Sequence, residues 1–445
     1  MSDKKVIPLS KIDKVINSLN GINTINLHGR VNRVVGTVIE GNGPGSSVGS
    51  LCDIYPGENI DPIQAEVVGF KKNSVFLMPI GPLNGIGPGS KIVAVNTKPA
   101  IRVGKNLLGR VINGMGTPID GKGPITLEDE LPIYSDPINP MDRARISKPL
   151  DVGIKAINGL LTCGKGQRLG VFAGSGVGKS VLLGMIARHT SADINVIALI
   201  GERGREVREF LEKDLGEAGL KKSIVITATS DQPPLIRIRG AFIATAIAEY
   251  FRSLGKDTLL MMDSITRFAM AQREVGLATG EPPTTKGYTP SVFALLPRLL
   301  ERAGAISARG SITGFYAVLV EGDDMNDPVA DSVRSILDGH IVLSRDLTTQ
   351  NHYPAIDVLK SLSRVMIDVV SEDHLQLSRK MLDILDAYRQ SEDLIKIGAY
   401  VKGSNPKTDH AITMIDKIND FLKQDLNQQI TLEETIHLMN GLVGD

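Results

Sequence analysis

Between residues 151 and 365, short unbroken apolar runs alternate with longer stretches whose apolar residues recur at helical spacing. The runs Leu169–Ala173, Ile194–Ile200, Ser223–Thr227, Thr258–Met262, Ile312–Val320 and His340–Leu343 predict strands. Several are apolar at successive positions, as in strands covered on both faces. Lys179–His189, Glu206–Leu215, Arg239–Ser253 and Ser291–Ala303 predict helices between them. This alternation predicts an open parallel α/β sheet with ligands at the carboxyl ends of its strands.

The pattern differs on either side. From about 21 to 95, short runs such as Arg30–Ile39, Ala65–Phe70 and Ser74–Met78 lie between turn signals, among them Gly36, Gly41-Asn42-Gly43-Pro44-Gly45 and Gly87-Pro88-Gly89. Such spacing predicts a small barrel or sandwich. Residues 96–150 read as a Gly/Pro-rich connection ending near a basic cluster, Arg143, Arg145 and Lys148. After about 371 the strands stop and helical runs follow, the last opening on a capping box, Thr431 with Glu434. Over residues 1–20, Val6, Leu9, Ile12, Val15, Ile16 and Leu19 predict an amphipathic helix that docks on its own domain or on a partner.

Composition narrows the class. The chain has 445 residues, 42% hydrophobic and 22% charged, with 50 basic and 50 acidic residues. Its zero formal charge gives no global argument for a nucleic-acid partner. Cys52 and Cys163 lie far apart without metal-ligand spacing and read as ordinary apolar residues of a reducing compartment. The N-terminus lacks the apolar core of a signal peptide, and no 18-residue apolar run occurs.

The chemistry begins at Ala173-Gly174-Ser175-Gly176-Val177-Gly178-Lys179-Ser180, between a predicted strand and the helical run continuing from Val181. Glycines let backbone N–H groups turn toward a phosphate, and the helix start adds positive potential. In this pattern Lys179 reaches the β- and γ-phosphates, and the Ser180 hydroxyl ligates Mg²⁺. Ala173 stands where the strict motif has glycine. Asp263, after Thr258–Met262, is a second metal-side candidate, with a helix-capping role for Asp263 or Ser264 as its rival.

Hydrolysis also needs a group that orients the attacking water. Ser264 follows Asp263, so that acid must come from another strand end. Glu202, just beyond Ile194–Ile200, is the candidate, with Glu206 a turn away; salt bridging with Arg203 and Arg205 at a helix start is the competing use. Arg364 is a candidate for a charge reaching a neighbouring subunit's phosphates, with Arg334 and Arg267 as rivals. Tyr353 is placed to stack on adenine or to pack in the core. The polar stretch Gly280–Pro290 is long enough to line an opening, contact a moving partner or act as a plain connector.

Ala173–Ser180, Gly201–Glu206, Leu259–Arg267, Pro282–Pro290 and His352–Arg364 together resemble the catalytic subunits of rotary-type ATPases over essentially the whole chain. Asp263–Ala269 and Glu321–Asn326 most resemble the branch that serves type III protein export, the flagellum-specific ATPases in particular. The resemblance implies a P-loop (RecA-like) ATPase domain over 96–370, a β-barrel over 21–95 and a helical domain over 371–445. It implies ATP and Mg²⁺ as ligands, bound by Gly174, Ser175, Gly176, Val177, Gly178, Lys179, Ser180 and Val181, with Tyr353 at the adenine and Ser180 and Asp263 at the metal. It makes Glu202 the catalytic glutamate, Arg203 its neighbour at the phosphates, and Arg364 an arginine acting across a subunit boundary. The implied assembly is a cytoplasmic homohexamer at the base of the flagellum. Its implied partners are a stator-like regulatory protein at the N-terminus, a central stalk, export-gate membrane proteins and chaperones with their substrates, but no nucleic acid. A virulence injectisome ATPase and a non-catalytic nucleotide-binding ring subunit are the alternatives. Gly398–Gly403 stands where the synthase β subunit carries its acidic lever motif, which argues against a synthase subunit.

Overall fold

A computed structural model describes residues 28–57, 60–95, 99–307, 309–320, 322 and 324–444. The chain divides after residue 98 into two compact units. The amphipathic segment expected over 1–20 lies outside the described residues.

In the first unit, six strands close a barrel: β1 (His28–Val35), β2 (Val38–Asn42), β3 (Leu51–Tyr55), β4 (Ile63–Lys71), β5 (Ser74–Pro79) and β6 (Lys91–Ala94), in the order β1-β2-β5-β4-β3-β6. Inward positions carry Val31, Ile39, Cys52, Ile54, Ala65, Val67, Val75, Leu77 and Ile92, which fill the interior. The run Arg30–Ile39 is two strands. Gly36, at φ 58°, reverses the chain between β1 and β2, in a left-handed conformation that glycine adopts without strain.

The second unit holds the parallel sheet. Two ribbons, β7 (Ala100–Val103) with β9 (Asp129–Pro132) and β10 (Pro149–Leu150) with β11 (Cys163–Gly164), lie outside it. Its main strands are β8 (Val111–Asn113), β12 (Arg168–Ala173), β13 (Ile194–Ile200), β14 (Ser223–Ala228), β15 (Asp257–Asp263), β17 (Ser311–Leu319), β18 (Gly339–Val342) and β19 (Leu362–Ser363). They run in the order β19-β18-β12-β17-β15-β13-β14-β8, and a short β16 (Gly304–Ala305) pairs with β17. Every residue of β13 and β14 is buried, which is why both read as unbroken apolar runs. β8 arises within the stretch read as a connection; its three residues pair in parallel with β14. It is too short, among Gly109, Gly114 and Gly116, to leave a periodic signal.

Helices cover the sheet at Lys179–His189, Pro234–Ser253, Ile265–Ala278, Pro290–Leu300 and Pro328–Ile336. Two begin earlier than their apolar pattern suggests because proline occupies the first helical turn, Pro234 in one and Pro290 in the other. The run Glu206–Leu215 divides into an α-helix, Gly204–Glu209, and a π-helical turn, Phe210–Leu215. Three later helices, Glu372–Lys396, Pro406–Leu422 and Leu432–Val443, share a core with the sheet domain through Met381, Ile384, Met414, Ile418, Phe421 and Met439. The capping box forms: Thr431 Oγ1 accepts from Glu434 N at 3.2 Å, and Glu434 Oε2 accepts from Thr431 N at 2.8 Å. Cys52 and Cys163 are both free and buried. Among the described residues no helix is long and apolar enough to cross a membrane.

Arg302 is fully buried behind the sheet. Its guanidinium donates to both carboxylate oxygens of Glu249, at 2.9 and 2.6 Å, and to the Ile133 carbonyl at 2.7 Å. Removing one member of a buried ion pair costs about 3–5 kcal/mol. Arg302→Ala is therefore expected to lower the urea midpoint sharply, and an unchanged denaturation curve would contradict this role.

Candidate active site

The buried end of β12, Ala173, leads into a loop that crosses to the helix beginning at Lys179. Gly176 and Gly178 stand at φ 80° and 89°, conformations an L side chain resists. Val177, 2% exposed, anchors the loop in the core, while Ser175, Gly176 and Ser180 face solvent. Gly178 supplies no capping side chain, so the first N–H groups of the helix remain open to a ligand.

Lys179 lies between two acids. Its ammonium donates to Asp263 Oδ1 and stands 3.8 Å from Glu202 Oε1. The sheet makes this meeting possible. β13 and β15 are neighbours in parallel register, with Leu199 opposite Asp263, and Glu202 follows β13 by two residues. The competition for the helix cap is settled in favour of Ser264, whose Oγ accepts from Arg267 N at 3.4 Å and leaves the Asp263 carboxylate to Lys179. Gly201 makes the turn at φ 74°; a Cβ there would lie 2.6 Å from Arg267 Cβ. Arg267 thus packs under the turn, and Arg334 pairs with Asp331 at 2.7 Å.

The two glutamates are electrically unequal. Burial, and next the charge of Asp263, push Glu202 up to about 7 despite the opposing pull of Lys179. Glu206 is held below the usual carboxylate range, chiefly by a hydrogen bond from Glu202. Of this pair Glu202 is the group that binds a proton more readily. Glu202 Oε1 is buried and has no hydrogen-bond partner among the described residues.

Other sequence candidates are more dispersed. Arg203 is largely exposed, caps the helix Gly204–Glu209, and pairs with Glu206 at 3.6 Å rather than with the loop. Tyr353 is not a core residue. It is 39% exposed and lines a pocket of about 500 Å³ with Val177, Val181, Met185, Pro354 and Leu426. Arg364 follows β19 at the amino end of the sheet: its N–H donates to Asp338 O at 3.0 Å, and Asp338 N donates to Arg168 O at 2.9 Å. From Arg168 to the loop at Ala173, β12 spans roughly 16 Å at ~3.3 Å per residue. The structure brings together Lys179, Glu202 and Asp263, and leaves Arg364 exposed at the far end.

Two contributors were not visible in the sequence. Arg345 Nη2 donates to Ser175 O at 3.3 Å, touching the phosphate loop from the segment after β18. Lys423–Leu426, between the last two helices, forms a wall of the pocket at Tyr353. Neither carries a local signal, since each reaches the site only through the tertiary fold. The polar stretch Gly280–Pro290 is tied down by Lys286, whose ammonium lies 3.2 Å from Asp324 and 3.4 Å from Asp327.

A phosphate loop at the carboxyl end of a parallel strand, with a lysine facing acids from two neighbouring strands, defines a P-loop nucleoside triphosphatase. Residues 153–363 match the nucleotide-binding domain of the ATP synthase alpha/beta family, residues 31–96 its beta-barrel domain, and residues 370–441 the T3SS EscN ATPase C-terminal domain. The chain belongs to this family, in its branch of flagellar and type III secretion ATPases, and is an ATPase. It is 53% identical to the flagellum-specific ATP synthase of Bacillus subtilis (strain 168), covering 98% of this chain and 99% of that one. It is similar to the assembled ATPase EscN of the enteropathogenic E. coli type III secretion system, with TM-score 0.88, 46% identity, and coverage of 93% of this chain and 100% of that one. EscN in complex with its central stalk EscO gives TM-score 0.85 at 45% identity, with the same coverage.

The turn at Gly201 has no room for a side chain. Gly201→Ala is expected to cost ~1–3 kcal/mol through overpacking. A displaced Glu202 should also lower ATP turnover by about tenfold or more; wild-type turnover with an unchanged melting temperature would contradict this. Glu202 titrates higher in the folded chain than its ordinary value of 4.5. A raised carboxyl costs the fold stability as pH climbs from about 4.5 through 7. Glu202→Gln should therefore melt higher than wild type at pH 8 and near wild type at pH 4.5, by thermal denaturation.

Proposed function

We propose that this ATPase powers flagellar type III protein export as a homohexamer on the cytoplasmic face of the basal body, releasing chaperones and feeding unfolded substrates to membrane proteins of an export gate. A stator-like regulator at the N-terminus and a central stalk complete its partners; EscN, a similar protein, is described with a central stalk. The flagellar assignment follows the 53% identity to a flagellum-specific relative over nearly the full length of both chains.

The observation that carries the catalytic reading is Glu202 beside Lys179 at the end of β13. A ring subunit that only binds nucleotide needs no such acid. Tyr353, Val181 and Leu426 enclose the adenine. The loop from Gly174 to Lys179 and the open N–H groups at Ser180 and Val181 hold the phosphates. The residues present fit Mg²⁺. Ser180 offers an exposed hydroxyl and Asp263 a carboxylate, and the described residues contain no cluster of three or more His, Cys, Asp or Glu able to hold a metal by themselves. That donor set suits an ion whose shell is completed by phosphate oxygens and water. Bound there, Mg²⁺ supplies positive charge at the β- and γ-phosphates.

In the reaction, water attacks the γ-phosphorus in line, the bond to the β–γ bridging oxygen breaks, and ADP and phosphate leave. Lys179 spreads positive charge over the γ-phosphoryl oxygens. Glu202, ionised, accepts a hydrogen bond from the water and orients it. The remaining charge comes from Arg364 of a neighbouring copy. Two features support that role. Arg364 lies at the end of the sheet opposite its own loop, and the segment around it leaves apolar side chains uncovered, Leu362 48% and Ile367 66% exposed.

Lys179→Ala is expected to abolish turnover, and Glu202→Gln to bind ATP but not hydrolyse it. Normal hydrolysis by purified Glu202→Gln would sink the assignment. Because the ionised form orients water and the group sits near 7 before nucleotide binds, kcat/KM should rise from pH 6 to pH 8. A flat profile across that range would count against Glu202.

A further inference from the structure

We infer that β12 is a mount with two ends: Gln167 and Arg168, where the strand begins, fix the backbone from which Arg364 projects, so that one strand carries the phosphate loop of its own site and positions the arginine offered to the next. This rests on the trans role of Arg364 given above.

Gln167 immediately precedes β12 and is fully buried. Its Nε2 donates to Asp338 O at 3.1 Å and to Ser363 Oγ at 3.0 Å, and its Oε1 accepts from Gly164 N at 2.9 Å. Ser363 Oγ in turn donates to Thr162 O at 2.9 Å. Both amide protons and the carbonyl of Gln167 are thus engaged, and the two amide protons go to the residues that hold Arg364. Ser363 precedes it, and Asp338 O also accepts its N–H at 3.0 Å.

Arg168 braces the same point. Its guanidinium grips Asp338 with two prongs, Nε to Oδ2 at 2.9 Å and Nη2 to Oδ1 at 3.0 Å, and its N–H donates to Asp338 Oδ2 at 3.1 Å. Glu301 closes the network, 2.5 Å from Arg168 Nη1 and 2.7 Å from Arg143 Nη2.

The contrast with Arg364 is the telling part. Its side chain is exposed and makes no hydrogen bond or ion pair among the described residues. The strand before it, β19, has two residues, paired only with Gly339 and His340. Two ladder pairs fix register weakly. A buried amide with every hydrogen bond satisfied fixes it strongly, because any slip leaves polar groups unpaired in a low-dielectric interior. Nothing in the site of the same chain uses Gln167: the phosphate loop lies at the other end of the strand. Gln167 and Asp338 are therefore positioning residues for chemistry in the neighbouring copy.

The test uses full-length assembled protein carrying Gln167→Met, close to glutamine in shape, and separately Asp338→Asn. A charge displaced by about 1 Å costs up to ~10²-fold. Each variant is expected to lose between about tenfold and a hundredfold in kcat, with KM for ATP held within about twofold. Unchanged kcat in both would overturn the inference. The decisive measurement mixes each variant with Lys179→Ala chains before assembly. The Lys179→Ala chain has a dead loop and an intact mount, so mixed rings should hydrolyse ATP faster than the sum of the separate preparations. Arg364→Ala mixed with Lys179→Ala is the reference. If the reference mixture regains activity and the Gln167→Met and Asp338→Asn mixtures do not, the mount acts within its own subunit and the inference fails alone. If the reference mixture also stays inactive, the trans reading of Arg364 fails and the mount falls with it.

Discussion

A single ammonium group, Lys179, faces two carboxylates in a site largely closed to water. One positive charge does not offset two nearby negative ones, so the acid farther from it is biased toward its neutral form. The structure resolves the conflict by position. Asp263, at the end of β15, takes the hydrogen bond from Lys179. Glu202, farther from the lysine, is the group pushed up, by burial and by the charge of Asp263. Everything that sets these three positions is sheet architecture. Parallel strands deliver their carboxyl ends to one edge, and the adjacent β13 and β15 put Glu202 and Asp263 within reach of a lysine from the loop after β12.

The same polarity divides the domain into two ends with different tasks. The carboxyl end collects groups that bind and activate. The amino end collects Arg168, Asp338, Glu301 and Arg143, a network that is internally paired. A covalent strand of six residues joins the two. Protein interiors are close-packed and transmit displacement poorly damped, so a shift of the loop along the strand axis has a direct route to the opposite end.

The sequence made the loop, the sheet and the meeting of Lys179, Glu202 and Asp263 legible because each depends on local order: an apolar run, then glycines or an acid, then a helical period. Ser264 as helix cap was visible as a possibility, and geometry chose it. The pocket at Tyr353 was half visible. Tyr353 stands out in a chain poor in aromatics, whereas Leu426 is one leucine among many and gains its place only when the final helices fold back on the sheet domain. Arg345 is hidden for the same reason. β8 was missed because three residues carry no period. Arg203 is given a place at the phosphates only by the family resemblance; in this structure its side chain is exposed and pairs with Glu206 at the helix start. The mount at Gln167 left no trace in the sequence, since a glutamine beside a strand is ordinary until its three hydrogen-bond partners, nearly two hundred residues away in the farthest case, are known.

The strand edges of this molecule have a consequence for the company it keeps. An unpaired edge offers rows of N–H and C=O groups to any extended chain that drifts past. The barrel is closed and has no such edge. The parallel sheet ends in β19 at one side and β8 at the other, two and three residues long. Apart from the two short ribbons, the described strands of this ATPase thereby offer an extended chain only two- and three-residue sheet edges on which to add a strand.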